Sequence, residues 1–258
     1  MIAIIGGSGL TNLDTLSITR REVMRTPYGE PSGALTFGQL AGHAVVFLAR
    51  HGYGHTIAPH EINYRANLWA LKNAGVTRVI AVASVGGIRD YFGPGTLVVP
   101  DQIIDYTFGR QHTIYEGADA PVTHIDFTWP YAKAMRTLLL AAARAAGETV
   151  HDGGVYGTMQ GPRLESAAEI ARLERDGCDL VGMTGMPEAA LARELGLEYA
   201  CLSVVVNHSA GKGDSALAIS VEHLGEVMKQ TMGRVQRILE RAVAATTVQK
   251  NDPEMIRK

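Results

Sequence analysis

The sequence predicts an α/β fold: one domain, built on a mixed twisted sheet with helices on both sides. Three observations carry this. Apolar runs of strand length alternate along the chain with amphipathic stretches of helical period. The strongest runs, Val76–Ser84 and Tyr199–Val206, are apolar at successive positions, as strands covered on both faces are. The chain has 258 residues, 46% of them hydrophobic, with no Ser/Pro-rich linker or low-complexity tract, which favours one sizeable core over two small ones. The domain is expected over residues 1–245, with 246–258 as a C-terminal tail.

Each element has its own signal. Met1–Ile5 is a short buried strand halted by Gly6-Gly7, and residues 34–40 and 43–49 read as a hairpin about Ala41-Gly42. Asn63–Ala74 repeats alanine and leucine at helical spacing and is closed by Gly75. The strand Val76–Ser84 runs into Val85-Gly86-Gly87, and Leu97–Pro100 is a further strand. Tyr131–Ala146 is an Ala-rich helix ended by Gly147. After the strand Val155–Met159, Gly161-Pro162 is expected to open a helix through Arg175. A strand at Asp179–Gly182, a helix at Pro187–Leu195, the strand Tyr199–Val206 and a long amphipathic helix from Ser220 to about Ala244 complete the chain.

Composition narrows the function. A formal net charge of −2 argues against a nucleic-acid or membrane-surface binder, which carries a basic patch. Cys178 and Cys201 have neither disulfide nor metal spacing and sit in apolar runs, as buried free thiols do. The start of the chain lacks the basic and long apolar regions of a signal peptide, and no window reaches the length of a membrane span. A cytoplasmic protein is expected.

In α/β sheets ligands bind beyond the carboxyl ends of strands, so the residues just after each strand are where chemistry is sought. Gly6-Gly7-Ser8-Gly9-Leu10 follows the first strand; glycines there let backbone N–H groups approach an anion, and Ser8 adds a hydroxyl. Asn12 stands where a dinucleotide fingerprint has its third glycine, and no Gly-Lys-Ser follows. Arg50-His51-Gly52 follows the strand ending at Ala49. An arginine there suits bidentate phosphate binding, with the histidine donating to the same anion. His51 and His55 have zinc-helix spacing, but Gly52 and Gly54 between them oppose a helix, and no metal is expected. Arg-His-Gly also heads the histidine phosphatases, the rival enzyme class.

Seven segments in order resemble one family: Ile4–Leu10, Leu48–Gly52 through Ile57, Asn63–Leu71, Ser84–Gly87, Gly161–Arg163, Met183–Glu188 and the strand ending at Asn207. Together they are similar to the trimeric purine nucleoside phosphorylase and methylthioadenosine phosphorylase family, over residues 1 to about 245. The resemblance implies phosphorolysis, in which phosphate attacks the anomeric carbon of a purine nucleoside to release base and sugar 1-phosphate. It implies phosphate held by Ser8, Arg50, His51 and the backbone at Ser84, and ribose over Met183. It further implies a homotrimer acting in purine salvage, with no cofactor besides phosphate as co-substrate, and no nucleic-acid or membrane partner.

Asn207 stands where the family reads the base. Aspartate there suits a 6-aminopurine, whereas an asparagine amide offers a donor toward N7 and O6 of a 6-oxopurine. Glu165 stands where the oxopurine type accepts from N1–H; its other reading is an acid in a helix first turn. Ser209 replaces the second acid of the aminopurine type, and Leu164 replaces an aromatic that packs on the base. Val221 takes the place of a histidine that meets the 5′-hydroxyl and so suits a methylthio group. His124 resembles a segment that reaches a neighbouring subunit's sugar pocket. The combination points to 5′-methylthioinosine. The alternatives are a methylthioadenosine or general purine nucleoside phosphorylase, the histidine phosphatase, and a non-catalytic nucleoside binder. Residues 208–218 read as a mobile loop, with Lys212 and Asp214 solvated.

Overall fold

The structure, a computed structural model, describes residues 1–117 and 120–248, without the side chains of 221, 247 and 248. Eleven strands among the described residues form one mixed sheet. In chain order they are β1 (Ile2–Gly6), β2 (Ser17–Glu22), β3 (Leu35–Leu40), β4 (His43–Ala49), β5 (Arg78–Gly87), β6 (Leu97–Val99), β7 (Gln102–Asp105), β8 (His151–Asp152), β9 (Val155–Thr158), β10 (Leu180–Gly182) and β11 (Glu198–His208). The helices are α1 (Tyr64–Asn73), α2 (Lys133–Ala145), α3 (Ala167–Arg175), α4 (Gly185–Glu194) and α5 (Val221–Val248).

The period of two along a strand decides which helix each face meets. In β1, Ala3 and Ile5 pack with Leu68 and Leu71 of α1 and Leu191 of α4. Ile2 and Ile4 point the other way, to Leu139 of α2 and Ile238 and Leu239 of α5. Both faces of the central strands are therefore covered, as the unbroken apolar runs predict. The hairpin at Ala41-Gly42 is present as the antiparallel pair β3–β4. Helix α5 runs to Val248, and the rest of the expected 246–258 tail lies outside the described residues. No described helix is long and apolar enough to cross a membrane.

Strands β2, β7 and β8 were not expected, and one helix begins later than expected. Strand β2 has no apolar pattern because all six of its residues are exposed; it joins the sheet only along the edge of β3. The helix expected from Gly161-Pro162 begins instead at Ala167. Ser166 caps it, accepting from the Glu169 N–H while the Glu169 carboxylate accepts from the Ser166 N–H. This reciprocal pair places the start of α3 after Glu165, so Glu165 lies in a loop and its helix-first-turn reading is wrong.

Strand β5 is the axis of the sheet. One of its edges is occupied from end to end by β11, in parallel from Arg78↔Glu198 to Gly87↔His208. A strand has two edges, so its other partners must share the second. There β1 runs parallel beside Arg78–Ala81, and β10 runs antiparallel beside Gly86–Gly87. The carboxyl ends of β1 and β10 thus approach each other along one edge, leaving Val82–Val85 unpaired on that side. Gly7 closes in on this gap: a Cβ there would lie 2.6 Å from the Val82 carbonyl oxygen and 2.8 Å from Arg50 Nη1. Because the nearer obstacle is backbone, Gly7→Ala should lose about 1–3 kcal/mol of stability in chemical denaturation. An unchanged midpoint would show that the gap has slack.

Candidate active site

The gap between β1 and β10 opens into a cavity of about 710 Å³ of empty space, its mouth included. Five strands and one loop contribute residues to it. Gly7 and Ser8 follow β1, Arg50 and His51 follow β4, and Ser84 lies on β5. Met183 and Thr184 follow β10, Asn207 and Ser209 come from the end of β11, and Glu165 comes from the loop before α3. Ser84 is the one half-open position in the otherwise buried interior of β5, because neither β1 nor β10 reaches it.

Arg50 is 1% exposed and grips Glu188 of α4 with two prongs, Nε to Oε2 at 2.7 Å and Nη2 to Oε1 at 2.8 Å. Its Nη1 donates to the Val82 carbonyl at 3.0 Å, the very group that β1 leaves unpaired. Burial works against the guanidinium charge, but Glu188 more than offsets it and leaves the group more basic than free arginine. The bidentate face expected to hold phosphate is therefore engaged by a carboxylate. Three of its five N–H groups are placed in these bonds, which leaves one on each Nη.

His51 is also corrected. Its Nδ1 lies 2.8 Å from the Ile57 carbonyl, an acceptor, so Nδ1 carries the proton and Nε2 is the ring's second nitrogen. Burial, then Arg50, pushes its pKa down to about 4, so the ring is neutral at pH 7. Nε2 then accepts a hydrogen bond rather than donating one to an anion. His55 packs against the His51 ring at 4.6 Å and lies 3.5 Å from the Ser8 hydroxyl.

The opposite character is found at Glu165. Its Oε1 is buried without a hydrogen-bond partner, and desolvation raises the pKa of the carboxyl. Ser209, 1% exposed, likewise has an unpartnered Oγ. Between Val205 and Asn207 the β5–β11 register slips by one residue, a bulge at Val206. Such a bulge re-aims the next side chain, here Asn207. The strand expected to stop at Val206 in fact continues to His208. One N–H of the Asn207 amide goes to the His208 carbonyl, leaving Oδ1 and a second N–H for the cavity.

The structure thus gathers Ser8, Arg50, His51, Ser84, Glu165, Met183 and Asn207 around one space. One predicted residue is not part of it. His124 is exposed on the loop between β7 and α2, away from the chain's own cavity. Val221 opens α5, and its side chain lies outside the described residues. Lys212 is not a free solvated side chain, since its Nζ lies 2.6 Å from Glu174 of α3. Thr184, which lines the cavity, and Glu188, which pairs with Arg50, were not singled out from the sequence. Their signal was a pair of polar residues, Thr184 and Glu188, in the segment directly after a strand.

Comparison with known proteins agrees with this arrangement. The chain matches the Phosphorylase superfamily over residues 1–244. It belongs to that superfamily. A probable S-methyl-5′-thioinosine phosphorylase of Pseudomonas syringae is 54% identical over 244 residues, covering 95% of this chain and 98% of that protein. The 6-oxopurine nucleoside phosphorylase of Pyrococcus furiosus is 46% identical over 224 residues, covering 85% and 83%. Among solved structures, methylthioadenosine phosphorylase from Schistosoma mansoni in complex with adenine superposes with a TM-score of 0.91 at 33% identity, covering 96% and 92%. The chain therefore has the nucleoside phosphorylase fold, and the histidine phosphatase reading of Arg50-His51-Gly52 is set aside.

Two measurements probe the geometry. Removing one partner of a buried ion pair strands the other charge, so Glu188→Ala should cost about 3–5 kcal/mol. The double change Arg50→Met with Glu188→Leu should cost less than the sum of the singles, because neither charge is left alone; additive losses would contradict the pairing. For His51, the unfolded ring at pKa 6.5 binds a proton that the folded ring refuses until about pH 4. Its share of stability is present above pH 6.5 and is lost as pH falls toward 4, amounting to about 3 kcal/mol. Urea midpoints measured across this window should slope less steeply in His51→Gln.

Proposed function

We propose that this protein catalyses phosphorolysis of 5′-methylthioinosine, giving hypoxanthine and 5-methylthioribose 1-phosphate. The observation that carries this is the buried, unpartnered Glu165 Oε1 in the same cavity as Asn207. A carboxylate oxygen in that state calls for a donor, and N1–H of a 6-oxopurine is one. Adenine offers a lone pair at N1 and would be repelled. The Asn207 amide completes the base edge: its second N–H meets O6, and Oδ1 accepts from N7 once N7 is protonated. Ser209 adds a hydroxyl beside them.

Phosphate lies at the other end, between the Ser8 hydroxyl and backbone, the two remaining N–H groups of Arg50 and the backbone at Ser84. Neutral His51 accepts from a P–OH through Nε2 and so orients the attacking oxygen. As the C1′–N9 bond lengthens, its electrons leave with the purine and positive charge grows on the sugar. The phosphate oxygen then bonds to C1′, the proton that the phosphate carried passes by way of solvent to N7 of the departing base, and Asn207 Oδ1 accepts from that N7–H. Met183 supports the ribose. The methylthio group points to Ile219 and Leu224 and to the adjoining hollow lined by Met228 and Met232. By its place in the sequence, Val221 belongs to this apolar end. A homotrimer, in which His124 enters the neighbouring sugar pocket, and a role in cytoplasmic purine salvage complete the proposal.

Base release should require phosphate and yield a sugar 1-phosphate; equal turnover in phosphate-free buffer would identify a hydrolase. Two polar contacts that must both match can discriminate by about 10⁴, so methylthioadenosine should be a very poor substrate. Asn207→Asp with Glu165→Ser should move preference toward the 6-amino base. Comparable kcat/KM for the two methylthio nucleosides in the unmodified enzyme would end the oxopurine assignment.

A further inference from the structure

We infer that Arg110 is a positioning residue for the reaction, holding the base side and the sugar side of the cavity in register. It lies on the loop after β7 and is 8% exposed, yet no carboxylate pairs with it among the described residues. Every N–H of its guanidinium is instead directed at a neutral oxygen. Nε donates to the Gln160 side chain at 3.1 Å. Nη1 donates to the carbonyls of Met183 at 2.9 Å and Met186 at 2.6 Å, with the Tyr64 hydroxyl at 3.3 Å. Nη2 donates to the carbonyls of Gln160 at 2.8 Å and Met159 at 3.3 Å. A buried cation held only by backbone and neutral side chains is costly, so its geometry is more informative than its charge.

Those acceptors have a common origin. Strands β9 and β10 run parallel as far as Thr158↔Gly182, and the Met159 N–H makes the next bond, to the Gly182 carbonyl. Beyond this point the two chains diverge. One passes through Met159 and Gln160 to Glu165, and the other passes through Met183 and Thr184 into α4. The ladder can no longer hold them together, and Arg110 stands between them, taking carbonyls from both. Tyr64 ties in a third wall, since its hydroxyl donates to the carbonyl of Pro59, which lines the cavity. A planar fork of five donors can span these positions. Three donors on a single lysine nitrogen cannot.

The inference rests on the proposed function only for the choice of nucleoside, because both walls contact nucleoside while phosphate is held mainly by residues after β1 and β4. It is tested by varying each substrate in turn with Arg110→Ala, Arg110→Lys and the unmodified enzyme, on methylthioinosine and methylthioadenosine in parallel. For Arg110→Ala, kcat/KM for the nucleoside should fall about 100-fold, with a raised nucleoside KM and a phosphate KM within about 3-fold of the parent. Millimolar ethylguanidinium should restore activity to Arg110→Ala by about 10-fold, and Arg110→Lys should stay low. Nucleoside kcat/KM within about 3-fold of the parent, or equal losses in both KM values without rescue, would overturn the assignment and leave a purely structural cation. Should Arg110→Ala fail to fold, Gln160→Leu decides. A drop of about 5-fold in nucleoside kcat/KM at unchanged melting temperature supports the role, and parental kinetics reject it. Failure of the substrate assignment is read separately, from the parent's preference between the two nucleosides.

Discussion

The ion pair between Arg50 and Glu188 holds together the part of the molecule on which the rest depends. Where β1 leaves the edge of β5, the Val82 carbonyl loses its strand partner, and a buried carbonyl without a partner is expensive. Arg50 supplies the donor, but only by bringing a guanidinium into the core. Glu188 answers that charge from α4, and Tyr199 of β11 donates its hydroxyl to Glu188 at 2.8 Å. Elements far apart in sequence are thus locked at the single point where the sheet must open. Apolar side chains could fill this space with less desolvation, but they could not satisfy Val82 and keep N–H groups facing a cavity.

Opening the sheet has an electrical consequence. At the β1 and β4 ends lie the Ser8 hydroxyl, the N–H groups that Arg50 has left over from Glu188 and Val82, and the Nε2 of His51. At the far side lies a lone carboxylate whose pKa burial has raised. His51, held neutral, adds no second cation beside Arg50. This polarity fits a reaction in which an anion arrives at one end of a sugar and a purine departs from the other, with charge developing in the desolvated space between.

The same economy explains the irregular backbone. The bulge at Val206 breaks the β5–β11 register where the side chain of Asn207 has to turn into the cavity. The reciprocal cap at Ser166 and Glu169 delays α3 so that Glu165 stays on a loop. Both of these departures from regular structure lie at the site.

Local sequence determined much of this protein. The covered strands, the hairpin at Ala41-Gly42, the amphipathic helices and the position of Ser8, Arg50 and His51 beyond strand ends follow from periodicity and from glycine placement, both properties of neighbouring residues. Strand β2 was illegible because its six residues are exposed and carry no apolar pattern. Which groups Arg50, His51 and Arg110 engage was decided only by tertiary structure. Which prong of a guanidinium is engaged, and which nitrogen of an imidazole carries the proton, depends on acceptors such as Glu188, Ile57 and Met183. Folding alone brings those acceptors within about 3 Å, the range over which a hydrogen bond acts.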